Sequence, residues 1–227
     1  MDKSRKLVAF IFITVFLLVN SLSTNAQGDD ELADYYTGRP RIFYAGLIGG
    51  VNFAQVDGDN FAGYYKFGLN VGGIGYIKLS SHLSLSWEIL YSAKGSKSDM
   101  AKLSGIDTIV IKNYGIDVKY AEIPVMINVF DKLKSHLGIG ISYSRLVSSN
   151  ETLVLDKNYP INLNNYPFKK DDWEVIVGAQ LHLVKGLFLN LRYQYSIVPM
   201  RTEIPPNFSR AEQYNNMWTL RLMYLFM

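Results

Sequence analysis

Eight stretches of this chain alternate apolar and polar residues one by one, and the connections between them run long, short, long, short, long, short, long. A period of two places the apolar residues of a stretch on one face and the polar residues on the other. The rhythm of the connections adds a second constraint, since tight turns gather at one end of the sheet and longer loops at the other. A small β-barrel that spans an outer membrane has both properties, with short turns on its periplasmic rim and longer loops outside. The expected fold is all-β, an eight-stranded antiparallel transmembrane β-barrel behind a cleaved N-terminal signal peptide.

The stretches cover residues 42–55, 65–79, 82–94, 116–130, 135–147, 172–184, 187–198 and 214–227. The third is the clearest. Leu83, Leu85, Trp87, Ile89, Tyr91 and Ala93 alternate with Ser84, Ser86, Glu88, Ser92 and Lys94, and Leu90 is the one apolar exception. Ser80-Ser81, residues 131–134 and Lys185-Gly186 make the short connections, the last as a two-residue hairpin turn. Residues 95–115, 148–171 and 199–213 read as long outer loops. Pro124 interrupts the fourth stretch; it has no N–H to donate, so a bulge or a missing ladder bond is expected there.

A soluble barrel also alternates, so two further features decide between the solvents. Aromatic residues stand on the apolar face near strand ends, at Phe43, Phe53, Tyr91, Trp173, Tyr193, Tyr195, Tyr224 and Phe226. That is where girdles at the two membrane interfaces belong. The opposite face is rich in Gly and Ser and also carries charges. Small residues gain nothing facing water, but a narrow lumen requires them.

The N-terminus supports export. Lys3, Arg5 and Lys6 precede an apolar run from Leu7 to Val19, and Thr24-Asn25-Ala26 ends in a small residue before Gln27. The run is shorter than the roughly 20 residues of a spanning helix. The expected organisation is a signal peptide at 1–26, a flexible polar periplasmic tail at 27–41 and the barrel at 42–227. Against Asp2, the three basic residues give the first 26 a net +2, so of the chain's +3 only +1 remains beyond them. Without a clustered basic face, no nucleic-acid partner is expected. The absence of cysteine excludes disulfides, a lipidated cysteine and cysteine-based zinc sites.

No enzyme is expected. His82, His136 and His182 all lie near the short-turn rim, and none has a metal-ligand spacing with another. There is no G-x-S-x-G elbow. Gly72-Gly73-Ile74-Gly75 lacks a following Lys-Ser or Lys-Thr, so it is strand wall rather than a phosphate loop. No cofactor and no metal are called for. The notable polar residues are Glu88, Glu122, Arg192 and Arg221, which belong to the inward set and lie at similar heights above the short-turn rim. Two carboxylates facing two guanidiniums would neutralise one another in a narrow lumen. Such a cluster works as a structural plug, or as a gate or proton path; the width of an eight-stranded barrel favours the plug.

Several segments resemble the PorT-like outer-membrane β-barrel family of Bacteroidota. They are residues 49–53 (GGVNF), 87–95 (WEILYSAKG), 120–124 (YAEIP), 138–143 (GIGISY) and 191–193 (LRY), in that order, within a likeness running from about Ala45 to Phe226. The resemblance implies an eight-stranded outer-membrane barrel. The family is named for a component of type IX protein secretion. It therefore implies a structural or accessory subunit of an outer-membrane secretion or assembly complex, with outer-membrane lipid and other outer-membrane proteins as partners. The alternatives are a small pore or transporter and a surface adhesin acting through its loops. The tail and the C-terminus are expected on the periplasmic side.

Overall fold

The structure is a computed structural model that describes residues 42–59, 63–98, 102–103, 110–131, 134–156, 162–203 and 209–226. The expected signal peptide and periplasmic tail lie outside these residues. The strands are β1 (Phe43–Asp59), β2 (Lys66–Lys78), β3 (Leu83–Ser98), the two-residue β4 (Lys102–Leu103), β5 (Val110–Phe130), β6 (His136–Leu155), β7 (Asp171–Val184), β8 (Leu187–Ser196) and β9 (Ser209–Leu225). The order around the sheet is β3-β2-β1-β9-β8-β7-β6-β5, and pairing of β3 with β5 closes the ring. β4 only extends the edge of β5. Every pairing is antiparallel, so eight long strands form a closed barrel without a free edge.

The barrel is inside-out by the standards of a soluble protein. On β3, Glu88 is 1% exposed and its neighbour Ile89 is 67% exposed. The same contrast holds between Gly138 and Leu137 on β6 and between Thr219 and Leu220 on β9. An outer wall of Leu, Ile, Val and aromatics is stable against hydrocarbon, and closure leaves no backbone donor or acceptor facing it.

Each outer loop is shorter than the sequence reading gave it. β3 runs on to Ser98, β5 starts at Val110, β6 reaches Leu155 and β9 starts at Ser209. The reason is an inversion of polarity along the strands. On the lower half of β5, Ile123, Val125, Ile127 and Val129 face out while Glu122 and Asn128 are buried. On its upper half Ile116, Val118 and Tyr120 are buried, and Lys112, Asn113 and Lys119 are exposed. Strand pairing continues past the bilayer into water, where the apolar side must turn inward. A test for an apolar outer face therefore stops at the crossing, near Ala121. β5 has 21 residues and β6 has 20, about twice the 9–11 that span a bilayer. β8, with 10, does little more than span.

At Pro124 the β3–β5 ladder pairs Trp87 with Val125 and resumes at Leu90 with Glu122 in the same register. The local cost is thus a missing stretch of pairing, not a bulge. On the other side Pro124 stays in register with Ser142 of β6. At the β7–β8 turn Lys185 and Gly186 both have positive φ, at 34° and 81°. Two such residues suit the twist of a tight hairpin, and glycine takes the more left-handed place at no steric cost. On the outer wall, the ring of Trp87 occupies the space a Cβ on Gly75 would need.

Two apolar clusters lie inside the barrel, one towards each end. Near the short-turn rim Ile48, Ile74, Tyr76, Leu90, Phe188, Met223 and Leu225 pack together, with Tyr44 and Phe130 against them. This is where the exceptional Leu90 goes. Near the loop end Val56, Ile111, Tyr114, Ile116, Val118, Tyr120 and Met200 form a second layer. Between them the inward side chains are mostly polar, with Met126, Ile176 and Met217 among them.

Candidate functional site: the charged lumen

The lower part of the polar lumen is organised by Glu88. It projects from β3, and Arg192 projects from β8, four strands away in either direction around the ring. The two are diametrically opposite, yet Arg192 Nη2 donates to Glu88 Oε1 at 2.5 Å and Nη1 to Oε2 at 3.1 Å. Arg221 of β9 adds Nη1 to Oε2 at 2.9 Å and Nη2 to Oε1 at 3.4 Å. Asn190 and Asn70 accept from Arg221 through their side-chain oxygens at 2.9 and 3.2 Å. Both oxygens of the carboxylate are served, and all three charged side chains are at most 1% exposed. Guanidinium suits this position because its planar fork binds a carboxylate in two places and fixes the geometry.

Glu122 does not share this node and bonds neither arginine. It lies one layer nearer the loop end, where Lys94 is the central cation. Lys94 Nζ stands 2.5 Å from Glu174 Oε2 and 3.1 Å from Glu122 Oε2, with the Tyr120 ring centroid at 5.0 Å. Gln194 Nε2 donates to Glu122 Oε1 at 2.7 Å and to Glu174 Oε2 at 3.3 Å. Ser142 donates to Glu122 Oε1 at 3.1 Å. Asp172 Oδ2 accepts from Asn215 Nδ2 at 2.7 Å and Ser196 Oγ at 3.0 Å. Sequence reasoning placed Lys94, Glu174 and Gln194 on the polar face but did not single them out. Their parity was visible. Their height was not, because strands tilted around a barrel bring together residues at different distances from their turns.

A third polar contact ties down the loop end. Arg201, in the connection between β8 and β9, donates through Nη1 and Nη2 to the two oxygens of Glu151 on β6, at 2.7 and 2.9 Å. Its Nε donates to Gln213 at 2.9 Å, and its guanidinium lies 4.3 Å from the Phe168 ring centroid. Tyr114 donates to Glu151 at 2.7 Å. Burial, reinforced by the Glu151 carboxylate, pushes the Tyr114 hydroxyl well above its ordinary range, so it stays a donor.

None of the eight aromatics expected on the apolar face is buried. Phe53 is opposite Phe67 on one side and Trp218 on the other, and Trp218 is opposite Tyr193, which makes a row across β2, β1, β9 and β8. Trp173 sits tilted against Tyr143 with ring centroids 5.2 Å apart, and Tyr195 stacks beside Tyr214 at 6.2 Å. Tyr91 faces out opposite Ala121, at the level where strand polarity inverts. At the short-turn end Phe43 and Phe226 are exposed, and Tyr224 packs against Phe226. The three histidines do not converge. His136 stacks on Phe130 and bonds Tyr76, His82 bonds Ser81, and His182 packs on Phe188. Among the described residues no three His, Cys, Asp or Glu side chains are arranged to hold a metal ion.

No curated protein matches the sequence. Among solved structures, the attachment invasion locus protein Ail of Yersinia pestis, solved with the heparin analogue sucrose octasulfate, is 12% identical. The match covers 82% of this chain and 100% of that one, with a TM-score of 0.41. Neisserial surface protein A is 10% identical over 82% of this chain and 98% of its own, with a TM-score of 0.45. OprG of Pseudomonas aeruginosa is 9% identical over 81% and 94%, with a TM-score of 0.38. The family model for the outer membrane protein beta-barrel domain matches residues 12–226, nearly the whole sequence. With an apolar outer wall, a closed ring of eight long strands and a polar lumen, this chain belongs to the outer membrane protein beta-barrel domain family.

Proposed function

We propose that this protein is a non-conducting, non-enzymatic interaction barrel, an accessory or structural subunit of an outer-membrane secretion or assembly complex. The observation that carries the reading is the Glu88–Arg192 pair, which joins diametrically opposite strands at 2.5 Å with both side chains sealed from solvent. An ion or solute has no route past it unless the pair breaks. In a membrane barrel with a filled lumen, the wall and the ends are left to do the work. The resemblance of the WEILYSAKG and YAEIP segments to PorT-like barrels supports secretion as the process. The aromatic rows then act as interface girdles, and the N-terminal tail and C-terminus lie in the periplasm, on the side of the short turns.

The test is mild detergent extraction of the tagged protein from its native membrane, followed by mass spectrometry of what co-purifies. Stoichiometric outer-membrane proteins support the reading, and a barrel that always runs alone contradicts it. A second reading, surface adhesion, is favoured by the extension of β5 and β6 some ten residues beyond what spanning requires. Deleting that extension without loss of binding to host or matrix material would end it.

A further inference from the structure

The two charged nodes do not balance. Between the apolar layers, the sealed side chains comprise four carboxylates (Glu88, Glu122, Asp172, Glu174) and three cations (Lys94, Arg192, Arg221). The negative charge is concentrated in the node nearer the loop end, where Lys94 is the one cation among three carboxylates; the Glu88 node has one cation in excess, so the lumen as a whole lacks one positive charge.

The hydrogen bonding shows the same deficit independently. Glu174 and Asp172 each receive their donors through one oxygen, Oε2 and Oδ2; the other oxygens, Oε1 and Oδ1, are buried and meet no donor from the chain. The amides beside them are in the same condition. Gln194 and Asn215 are 0% and 1% exposed, and each spends its NH2 group on the carboxylates. That fixes their orientation and leaves Gln194 Oε1 and Asn215 Oδ1 as acceptors without donors. Four bare acceptor oxygens on three neighbouring strands, β7, β8 and β9, thus coincide with one uncompensated negative charge. Buried acceptors are normally satisfied, and a buried charge is normally paired.

We propose that this chamber is a binding site for one unit of positive charge from outside the chain. Its ligands are the oxygens of Asp172, Glu174, Gln194 and Asn215, and its occupant is an alkali cation or an excess proton carried by these groups and water. The deficit is a single unit of charge, which a monovalent occupant matches; among the described residues no three His, Cys, Asp or Glu side chains are arranged to hold a metal ion. The other groups facing the site are Lys94 from β3, Glu122 and Tyr120 from β5, Ser144 from β6, and Arg192 and Ser196 from β8. The proposal is independent of the partner reading above.

The experiment uses the full barrel, refolded from denaturant so that the charge is present before the lumen closes. Thermal midpoints are measured in NaCl, KCl and choline chloride at one ionic strength and pH. They are then measured from pH 5 to 9 in choline chloride. An alkali-cation site raises the midpoint by several degrees in Na⁺ or K⁺ over choline. A proton site shows no cation preference, and its midpoint falls as the pH rises, because the folded state holds a proton that the unfolded chain releases. In either case Glu174→Gln, which removes the surplus charge, abolishes the dependence. If that variant does not refold, Asp172→Asn removes the same unit of charge and replaces it. Wild-type midpoints that are flat in both series, or a dependence that survives in the neutralised variant, overturn the proposal.

Discussion

The two nodes of the lumen both combine carboxylates, cations and amides, and they solve opposite problems. Around Glu88, one carboxylate meets two guanidiniums, and each of its oxygens has donors. Around Lys94, one ammonium meets the carboxylates of Glu122 and Glu174 with Asp172 close by, and acceptors are left over. The first node is a brace: it crosses the full width of the barrel, and both oxygens of its carboxylate are served by the chain, with only Arg192 Nε left over. The second is open to an added charge. The difference teaches that a filled lumen is not uniform filler. A carboxylate is indispensable where it is the minority charge and expendable where it is in surplus.

The largest effect should come from removing the minority charge of the brace. Glu88→Gln leaves two buried guanidiniums facing each other, and a lost partner in a buried pair costs about 3–5 kcal/mol. Urea unfolding of the refolded barrel measures it. Lys94→Met does the same to the other node, leaving three buried carboxylates, and should cost a similar amount in the same assay. Glu174→Gln breaks the symmetry between the nodes. It removes a surplus charge, so its cost should stay below about 1 kcal/mol, since loss of one buried ion is offset by relief of like-charge crowding. A loss from Glu174→Gln as large as that from Glu88→Gln would erase the distinction. Outside the lumen, Arg201→Met unlatches the loop end from Glu151 and should cost about 1.5–3 kcal/mol, the range of a charged hydrogen bond. Faster proteolysis between β6 and β7 and between β8 and β9, with the spanning strands still protected, would show the effect to be local. The smallest change is Pro124→Ala, which restores an N–H towards β3 and should stabilise by up to about 1 kcal/mol, read as slowed amide exchange in the Glu88–Ile89 segment.

The wall was legible in the sequence because lipid and lumen impose opposite chemistry on neighbouring residues, as Glu88 and Ile89 show. The same rule concealed the upper strands. Ile116, Val118 and Tyr120 share the inward parity of Glu122 and Asn128 but are apolar, so the contrast between a polar inside and an apolar outside that marks the wall is lost there. The lumen was legible as a set of inward residues, not as a set of contacts. The structure brings Glu88, Arg192 and Arg221 together and sets Glu122 beside Lys94, because strand tilt decides which heights meet across the barrel. Arg201 gave no signal at all. It lies in an irregular connection where no periodicity marks a residue as buried, and its partner Glu151 sits in a stretch that read as loop.

The most direct test of a lumen closed by the Glu88–Arg192 brace is single-channel recording of the purified barrel in planar bilayers, beside a Glu88→Ala variant. The account predicts a silent wild type and discrete conductance steps once the brace is cut. Steady conductance steps from the wild type would contradict it and make the pore reading the stronger one.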